Sequence, residues 1–342
     1  MNLLITTQAV DLDDPVLAFF HRWIEEFAKH AEHVEVICLK EGRHSLPENV
    51  RVHSLGKENG ESNVKYVYRF YTYLWQLRGT YDTVFVHMNP EYIVLAGLWW
   101  RLMGKKVALW YIHPHSSWRL RVGRFFANVL FSATENSFPL KSEKLIPVGL
   151  GVDTEFFSPA ESRPPSEKLR VMCTARIAPV KRLECLIDAA IELEKRGVLF
   201  AFDYYGEGLP RDAGYTARMR KRAATVSSWT FRGRASLDEI RDAYRAHDVH
   251  VNATDSGSFD KAVFESMAAA CVTVASNTAL KDVLPSELLF KEGDARSLAD
   301  TLEHVAGMND LERAALGARL RNLAEERYSL SALIGRIIDA IA

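Results

Sequence analysis

This chain of 342 residues has few cysteines, and the four it has stand singly in apolar segments. Cys38, Cys173, Cys185 and Cys271 form no CxxC pair, so the spacing offers neither a zinc site nor a disulfide framework. They are expected to be buried, reduced thiols. Strong charge of either sign is also missing: 43 Lys and Arg stand against 44 Asp and Glu, and nothing in the bulk charge draws the chain to nucleic acid. The most lipid-like run, Tyr92 to Trp100, is about half the length of the ~20 residues a spanning helix needs. The start, Met1 to Thr7, lacks the basic region and long apolar run of a signal peptide. The expected place is therefore the cytoplasm, including the inner face of a membrane. Most telling is the loop after the first strand, Gln8 to Asp14. It has three carboxylates and no glycine, which argues against the pyrophosphate turn of a nicotinamide or flavin dehydrogenase. A P-loop is missing as well, and no DxD-type metal motif stands out.

What the chain does have is 48% hydrophobic residues and 25% charged residues, in a length suited to two domains. Short β-branched runs alternate with amphipathic helical patterns from end to end, the signature of parallel α/β sheets. Strands are predicted at 3–7, 34–39, 50–54, 83–87, 107–112, 130–134 and 144–147. Asp14 and Pro15 predict the N-cap and first position of a helix. A polar, proline-rich stretch, Ser158 to Glu167, reads as a linker. Alternation then resumes, with strands predicted at 169–175, 200–205, 228–231, 248–253, 271–276 and 287–290. A last helix from about Ser329 places Leu330, Leu333, Ile334, Ile337, Ile338 and Ile341 on one side, an apolar face that must dock.

The chemistry is concentrated in the second half. Arg176 and Lys181 follow the strand 169–175, at the carboxyl end where open α/β sheets bind ligands. The pair suits a diphosphate, and suits equally a solvated cation pair at a loop–helix junction. After the strand 248–253 comes Asp255-Ser256-Gly257-Ser258-Phe259-Asp260-Lys261, leading into a small-residue helix. Gly257 and Ser258 place backbone N–H groups at a helix start, an anion site. Further along, Glu265 lies among apolar neighbours, where an unpaired carboxylate is costly and a ligand role is favoured.

The order Arg-x4-Lys, then Gly206-Glu207-Gly208 after a strand, then a Gly/Ser loop ending in Phe264-Glu265-Ser266-Met267-Ala268, resembles family 4 of the retaining glycosyltransferases, the glycosyltransferase group 1 proteins. Gly149 to Phe157 is similar to that family's segment entering the second domain. The resemblance implies the GT-B fold: two Rossmann-like domains facing across a cleft, with the C-terminal helix crossing back. The first domain, on the acceptor side, would span 1–155, the nucleotide-sugar domain 156–327, and the returning helix 328–342. By the resemblance, Arg176 and Lys181 grip the donor diphosphate, Glu265 holds the ribose, and His113, after the strand 107–112, faces the anomeric carbon. Gly206, Gly208, Gly257, Ser258, Phe259, Asp260 and Lys261 would line the donor. The family's E-x7-E motif has lost its first glutamate, which falls at Gly257, and Asp260 is the candidate replacement carboxylate with Lys261 a further contact.

Asp14 and His21 fall where the family binds acceptor, with helix capping the first reading of Asp14. His113 and His115 as metal ligands find no third partner nearby in sequence. The implied reaction moves a hexosyl unit from a nucleoside-diphosphate sugar to an acceptor hydroxyl of a glycan or lipid-linked molecule. It retains anomeric configuration and needs no metal or other cofactor. Rival readings are a sugar-nucleotide epimerase and a non-catalytic sugar-nucleotide-binding protein. Tyr66, Tyr68, Phe70, Tyr71, Tyr73 and Trp75, with flanking cations, suit either an anionic lipid surface or an aromatic core face with a basic rim.

Overall fold

The computed structural model describes every residue except Pro15, Pro114, Pro164 and 256–258. The chain divides into two compact units, 1–151 with 330–342, and 152–329. The divisions fall at 151/152 and 329/330 rather than at 155/156 and 327/328.

In the first unit, β1 (Asn2–Val10), β2 (His33–Glu41), β3 (Val50–Ser54), β4 (Thr83–His87), β5 (Lys106–Trp110), β6 (Val129–Ser132) and β7 (Leu145–Pro147) form one parallel sheet of order β3-β2-β1-β4-β5-β6-β7. The inner strands β1, β4, β5 and β6 are buried on both sides because each side is covered by helices, whereas the edge strands β3 and β7 are partly exposed. Leu4, Val84, Val86, Val107 and Leu109 face a core completed by Phe70 and Leu74 of α2 (Asn63–Gln76), Ile93 and Trp100 of α3 (Glu91–Leu102) and Leu120 of α4 (Trp118–Phe126). Their chain neighbours Leu3, Ile5, Phe85 and Ala108 face the other side. There they meet Phe20, Trp23, Ile24 and Phe27 of α1 (Phe20–His30) and Leu333, Ile334, Ile337 and Ile341 of the last helix. That helix docks so closely that a Cβ on Gly151 would lie 2.6 Å from the Leu333 side chain.

One predicted boundary moves. Regular helix α1 begins at Phe20, not at 15. Asp14 still caps, since its carboxylate accepts from the Val16 and Leu17 amides (3.0 and 2.9 Å), but what it caps is the turn that leads into the helix.

The second unit contains β8 (Leu169–Thr174), α5 (Leu183–Lys195), β9 (Phe200–Tyr205), α6 (Ala213–Ala223), β10 (Trp229–Gly233), α7 (Leu237–Ala246), β11 (Val249–Asn252), α8 (Lys261–Ala268), β12 (Val272–Ala275), α9 (Ala295–Gly307) and α10 (Asp310–Tyr328). The last helix of the chain, α11 (Leu330–Ile341), follows. The strands are parallel in the order β10-β9-β8-β11-β12. No strand forms at 287–290: a single 3-10 turn occupies Ser286–Leu288, and Leu289 alone bridges to Ala275. All four cysteines are buried free thiols. No helix among the described residues is long and apolar enough to cross a membrane.

Candidate functional site at the carboxyl ends of β8 and β11

In the second sheet the chain winds from β8 outward to β9 and β10, then returns to the other side of β8 with β11. The strand order reverses at the β8/β11 boundary, where diverging loops leave a crevice in sheets of this kind. The loop after β8 carries Arg176, Lys181 and Arg182. The loop after β11 carries Thr254, Asp255 and Asp260.

These loops are fastened to each other. The Asp255 amide donates to the Val180 carbonyl (3.2 Å), and the Arg182 guanidinium holds the Asp255 carboxylate at 2.5 Å. Arg182 adopts a left-handed backbone (φ 49°), a conformation costly for a non-glycine residue and maintained here by that pairing. Lys181 forms an ion pair with Asp260 and also donates to the Thr254 hydroxyl at 3.1 Å. The same Asp260 oxygen accepts from Thr254 (2.9 Å) and from the Asn252 amide (3.1 Å). Its other oxygen caps α8 through the Ala262 amide (3.3 Å). Burial raises the Asp260 carboxyl, but the Lys181 charge and these hydrogen bonds outweigh it, and the net shift is downward. Asp260 is thus an anchor with both oxygens engaged, not a free carboxylate in place of the missing glutamate. A lysine ammonium has three N–H donors. Two of them are used among the described residues.

Arg176 is exposed, with no carboxylate partner among the described residues. Its main chain is held on both sides: the Ala175 amide donates to Tyr205 (3.0 Å) and the Ile177 amide to Glu207 (3.0 Å). This pairing explains Gly206. At φ 141°, a Cβ there would lie 2.0 Å from the Ala175 carbonyl oxygen. The glycine lets two loops meet, and Gly208 similarly makes room for the Thr216 hydroxyl. Phe259 packs edge-on against Phe264 (5.3 Å between centroids), which itself meets Tyr328 (4.3 Å). On α8, burial raises the Glu265 carboxyl while Lys261 opposes the rise; burial lowers the Lys261 amine while Glu265 opposes that fall. Gly257 and Ser258 lie outside the described residues.

Asn252, Thr254, Arg182 and Asp255 complete the cluster, and sequence reasoning did not assign them. Lys181 and Asp260 are 79 residues apart, and only the β8/β11 adjacency joins them. Beneath lies His250, fully buried on β11, with neither ring nitrogen hydrogen-bonded; burial pushes its pKa down to about 4.

The remaining predicted residues belong to the first unit. His113 follows β5 and is exposed, and its Nδ1 accepts from the His115 amide at 3.0 Å. That bond places the proton of a neutral ring on Nε2. His21 is buried, its Nε2 accepting from the Ser45 amide (3.1 Å), and burial lowers its pKa. Asp14 spends one oxygen on its own turn and has the other 3.8 Å from Lys40. His21 and Asp14 are accounted for by local structure. Among the described residues no group of three or more His, Cys, Asp or Glu is placed to hold a metal ion.

Comparison with known proteins bears on this geometry. Residues 168–307, which contain both loops, match the family model described as glycosyl transferases group 1. No curated protein matches the chain in sequence. Solved structures resemble it over its length. HepE of Anabaena in complex with UDP and glucose has a TM-score of 0.74 at 14% identity, covering 100% of this chain and 99% of that one. A glycosyltransferase from Rickettsia africae gives 0.75 at 12% identity, with 99% and 97% covered. The sucrose-phosphate synthase of Thermosynechococcus elongatus gives 0.74 at 16%, with 99% and 98% covered. The fold is that of the GT-B proteins, and the part of the chain that carries both loops of the switch point is similar to the glycosyl transferases of group 1.

Proposed function

We propose that the β8/β11 switch point receives the diphosphate of a nucleoside-diphosphate sugar. We propose further that the enzyme transfers its hexosyl unit, with retention at the anomeric carbon, to a hydroxyl of a glycan or lipid-linked acceptor. The observation that carries this reading is the placement of exposed Arg176 and the anchored ammonium of Lys181 in the one loop that leaves β8 at the switch point, where ligands enter such sheets. Arg176 supplies a planar fork from a main chain held on both sides, and Lys181 one N–H from an ammonium fixed before the donor arrives. The complex of HepE with UDP and glucose agrees with a donor of this class.

In the reaction, the bond from the anomeric carbon to the diphosphate oxygen breaks, and the acceptor oxygen bonds to that carbon on the same face. The acceptor's proton passes to the departing phosphate oxygen. Arg176 and Lys181 stabilise the charge that develops on the leaving group, work a divalent metal performs elsewhere. Glu265 accepts from the ribose hydroxyls, and His113 stabilises positive charge at the anomeric carbon. The role of Asp260 is to hold Lys181, so specificity for the sugar rests on other groups.

A thermal-shift panel of UDP-, GDP- and ADP-sugars tests donor class, because selective binding raises Tm by mass action. One nucleotide should stand out. Proton NMR of the product then reports the anomeric outcome: the donor's configuration is expected, and its inverse contradicts the mechanism.

A further inference from the structure

The outer surface of the first unit's α2–α3–α4 layer does not look like the rest of the molecule. Inward, this layer closes a core through Phe70, Leu74, Trp100 and Leu120. Outward, α2 carries a second apolar stripe at helical spacing: Val64, Tyr68 (72% exposed), Tyr71 and Trp75 (58%). Its neighbours extend the stripe. Tyr71 donates to the Leu95 carbonyl of α3 (2.8 Å), and Trp75 lies 6.1 Å from Trp99. On α3, Leu98 and Leu102 are exposed, and Phe125 of α4 is 72% exposed. Gly97 of α3 abuts Phe126, which brings α4 alongside. Scattered exposed apolar residues are ordinary, but large side chains continuous over three helices are not.

The charge of this layer is one-sided. From Ser62 to Asn128 the sequence has nine Lys and Arg against two carboxylates, Asp82 and Glu91; Lys65 and Arg69 pair with Glu61 just outside this span, and Arg119 lies 3.6 Å from Glu91. Arg78, Arg101, Lys105 and Arg124 hydrogen-bond main-chain carbonyls, of Trp75, Phe126, Tyr81 and Lys141 respectively, and none of the four pairs with a carboxylate among the described residues. Because helices run antiparallel to strands in this fold, these cations gather at one end of the layer, where α2, α3 and α4 finish. Trp75, Leu98, Leu102 and Phe125 stand among them at the same end. Cations near helix C-termini offset the macrodipoles, which accounts for their position. It does not account for the apolar residues between them.

We infer that this end of the α2–α3–α4 layer docks the enzyme on an anionic lipid surface. Aromatic and aliphatic side chains enter the headgroup boundary while the surrounding Arg and Lys face lipid phosphates. The paired apolar and cationic character selects lipid over a dissolved polyanion, because a polyanion needs the charges alone. The inference stands on the first unit and does not depend on the donor assignment.

Co-sedimentation of the full chain with vesicles of phosphatidylcholine alone and of phosphatidylcholine with phosphatidylglycerol tests it. Binding to the mixed vesicles should be at least ~10-fold tighter and should weaken with salt. The Trp75 environment should become more apolar on binding, seen as a blue shift in its fluorescence against a Trp75→Phe control. Leu98→Ser with Phe125→Ser should weaken binding, and so should Arg101→Glu with Arg124→Glu, each keeping the native circular dichroism. Should either pair fail to fold, Tyr68→Ser and Arg78→Glu test the same two contributions. Absent binding at low salt, equal binding to neutral vesicles, or full binding by all variants would each overturn the inference. So would a single-stranded oligonucleotide that binds while the vesicles do not.

Discussion

The two sheets reverse their strand order in the same way, yet the loops at the two reversals are close to electrostatic opposites. At the β1/β4 reversal the first unit places three carboxylates, each engaged. Asp11 is bonded by Lys40 (2.8 Å), Asp13 by Arg43 (2.7 Å), and Asp14 by its own turn. The Lys40 hydrogen bond holds the Asp11 carboxyl below the ordinary range. Phe20 stacks at 3.8 Å on His87, filling the space beside β4. At the β8/β11 reversal the second unit places three cations and holds two of them, Lys181 through Asp260 and Arg182 through Asp255. One topology thus yields a closed acidic end and an open basic one. Topology supplies the location, and the side chains in the loops set its charge.

The largest expected effect falls on the basic end. Lys181→Ala and Arg176→Ala should each lower kcat/KM by about 10²–10³-fold, the scale of losing one preorganised donor to a developing charge. Native turnover in either variant would leave that end without its assigned role.

Removing the anchor should cost stability as well. Asp260→Ala uncaps α8 and strands Lys181 in a half-buried site, and is expected to lower unfolding free energy by about 3 kcal/mol in urea titrations. Asp260→Asn keeps the cap but loses the charge, and should fall between the two. In the first unit the comparable loss lies in packing. Leu333→Ala should cost about 2–5 kcal/mol, because the cavity opens in a core that α11 completes.

A third contrast lies in pH. The His250 ring is neutral when folded, with a pKa near 4 against 6.5 when unfolded. The unfolded chain therefore binds a proton that the folded chain refuses. Stability should fall as pH drops from about 6.5 to about 4, by about 3 kcal/mol, and should not fall further from this residue below that. His250→Phe should flatten the slope in melts across this window.

The smallest effect is expected at the exposed Arg43–Asp13 pair of the acidic end. Arg43→Ala should leave Tm and kcat/KM unchanged within error, as solvated ion pairs contribute little.

The seven strands of the first sheet and five of the second were legible because buried parallel strands are written as β-branched runs. The segment 287–290 misled because a short apolar run after Pro285 carries no period long enough to separate a strand from a turn. Arg176 and Lys181 were visible from their position after β8. The Lys181–Asp260–Thr254 cluster was not, because its members come from loops that only the strand order makes neighbours. Gly206 was visible as a special residue, but its cause is the Ala175 carbonyl, which no local pattern reveals. The outer stripe of α2 was also written in the sequence. Which aromatics turn inward is decided by the sheet beneath, which takes Phe70 and leaves Tyr68 and Trp75 outside.

Calorimetric titration of one nucleoside diphosphate into two double variants tests the contrast most directly. Arg176→Ala with Lys181→Ala should abolish measurable binding, and Lys40→Ala with Arg43→Ala should bind like the native protein. Loss of binding in the second pair, with affinity retained in the first, would place the diphosphate at the wrong sheet and contradict the account.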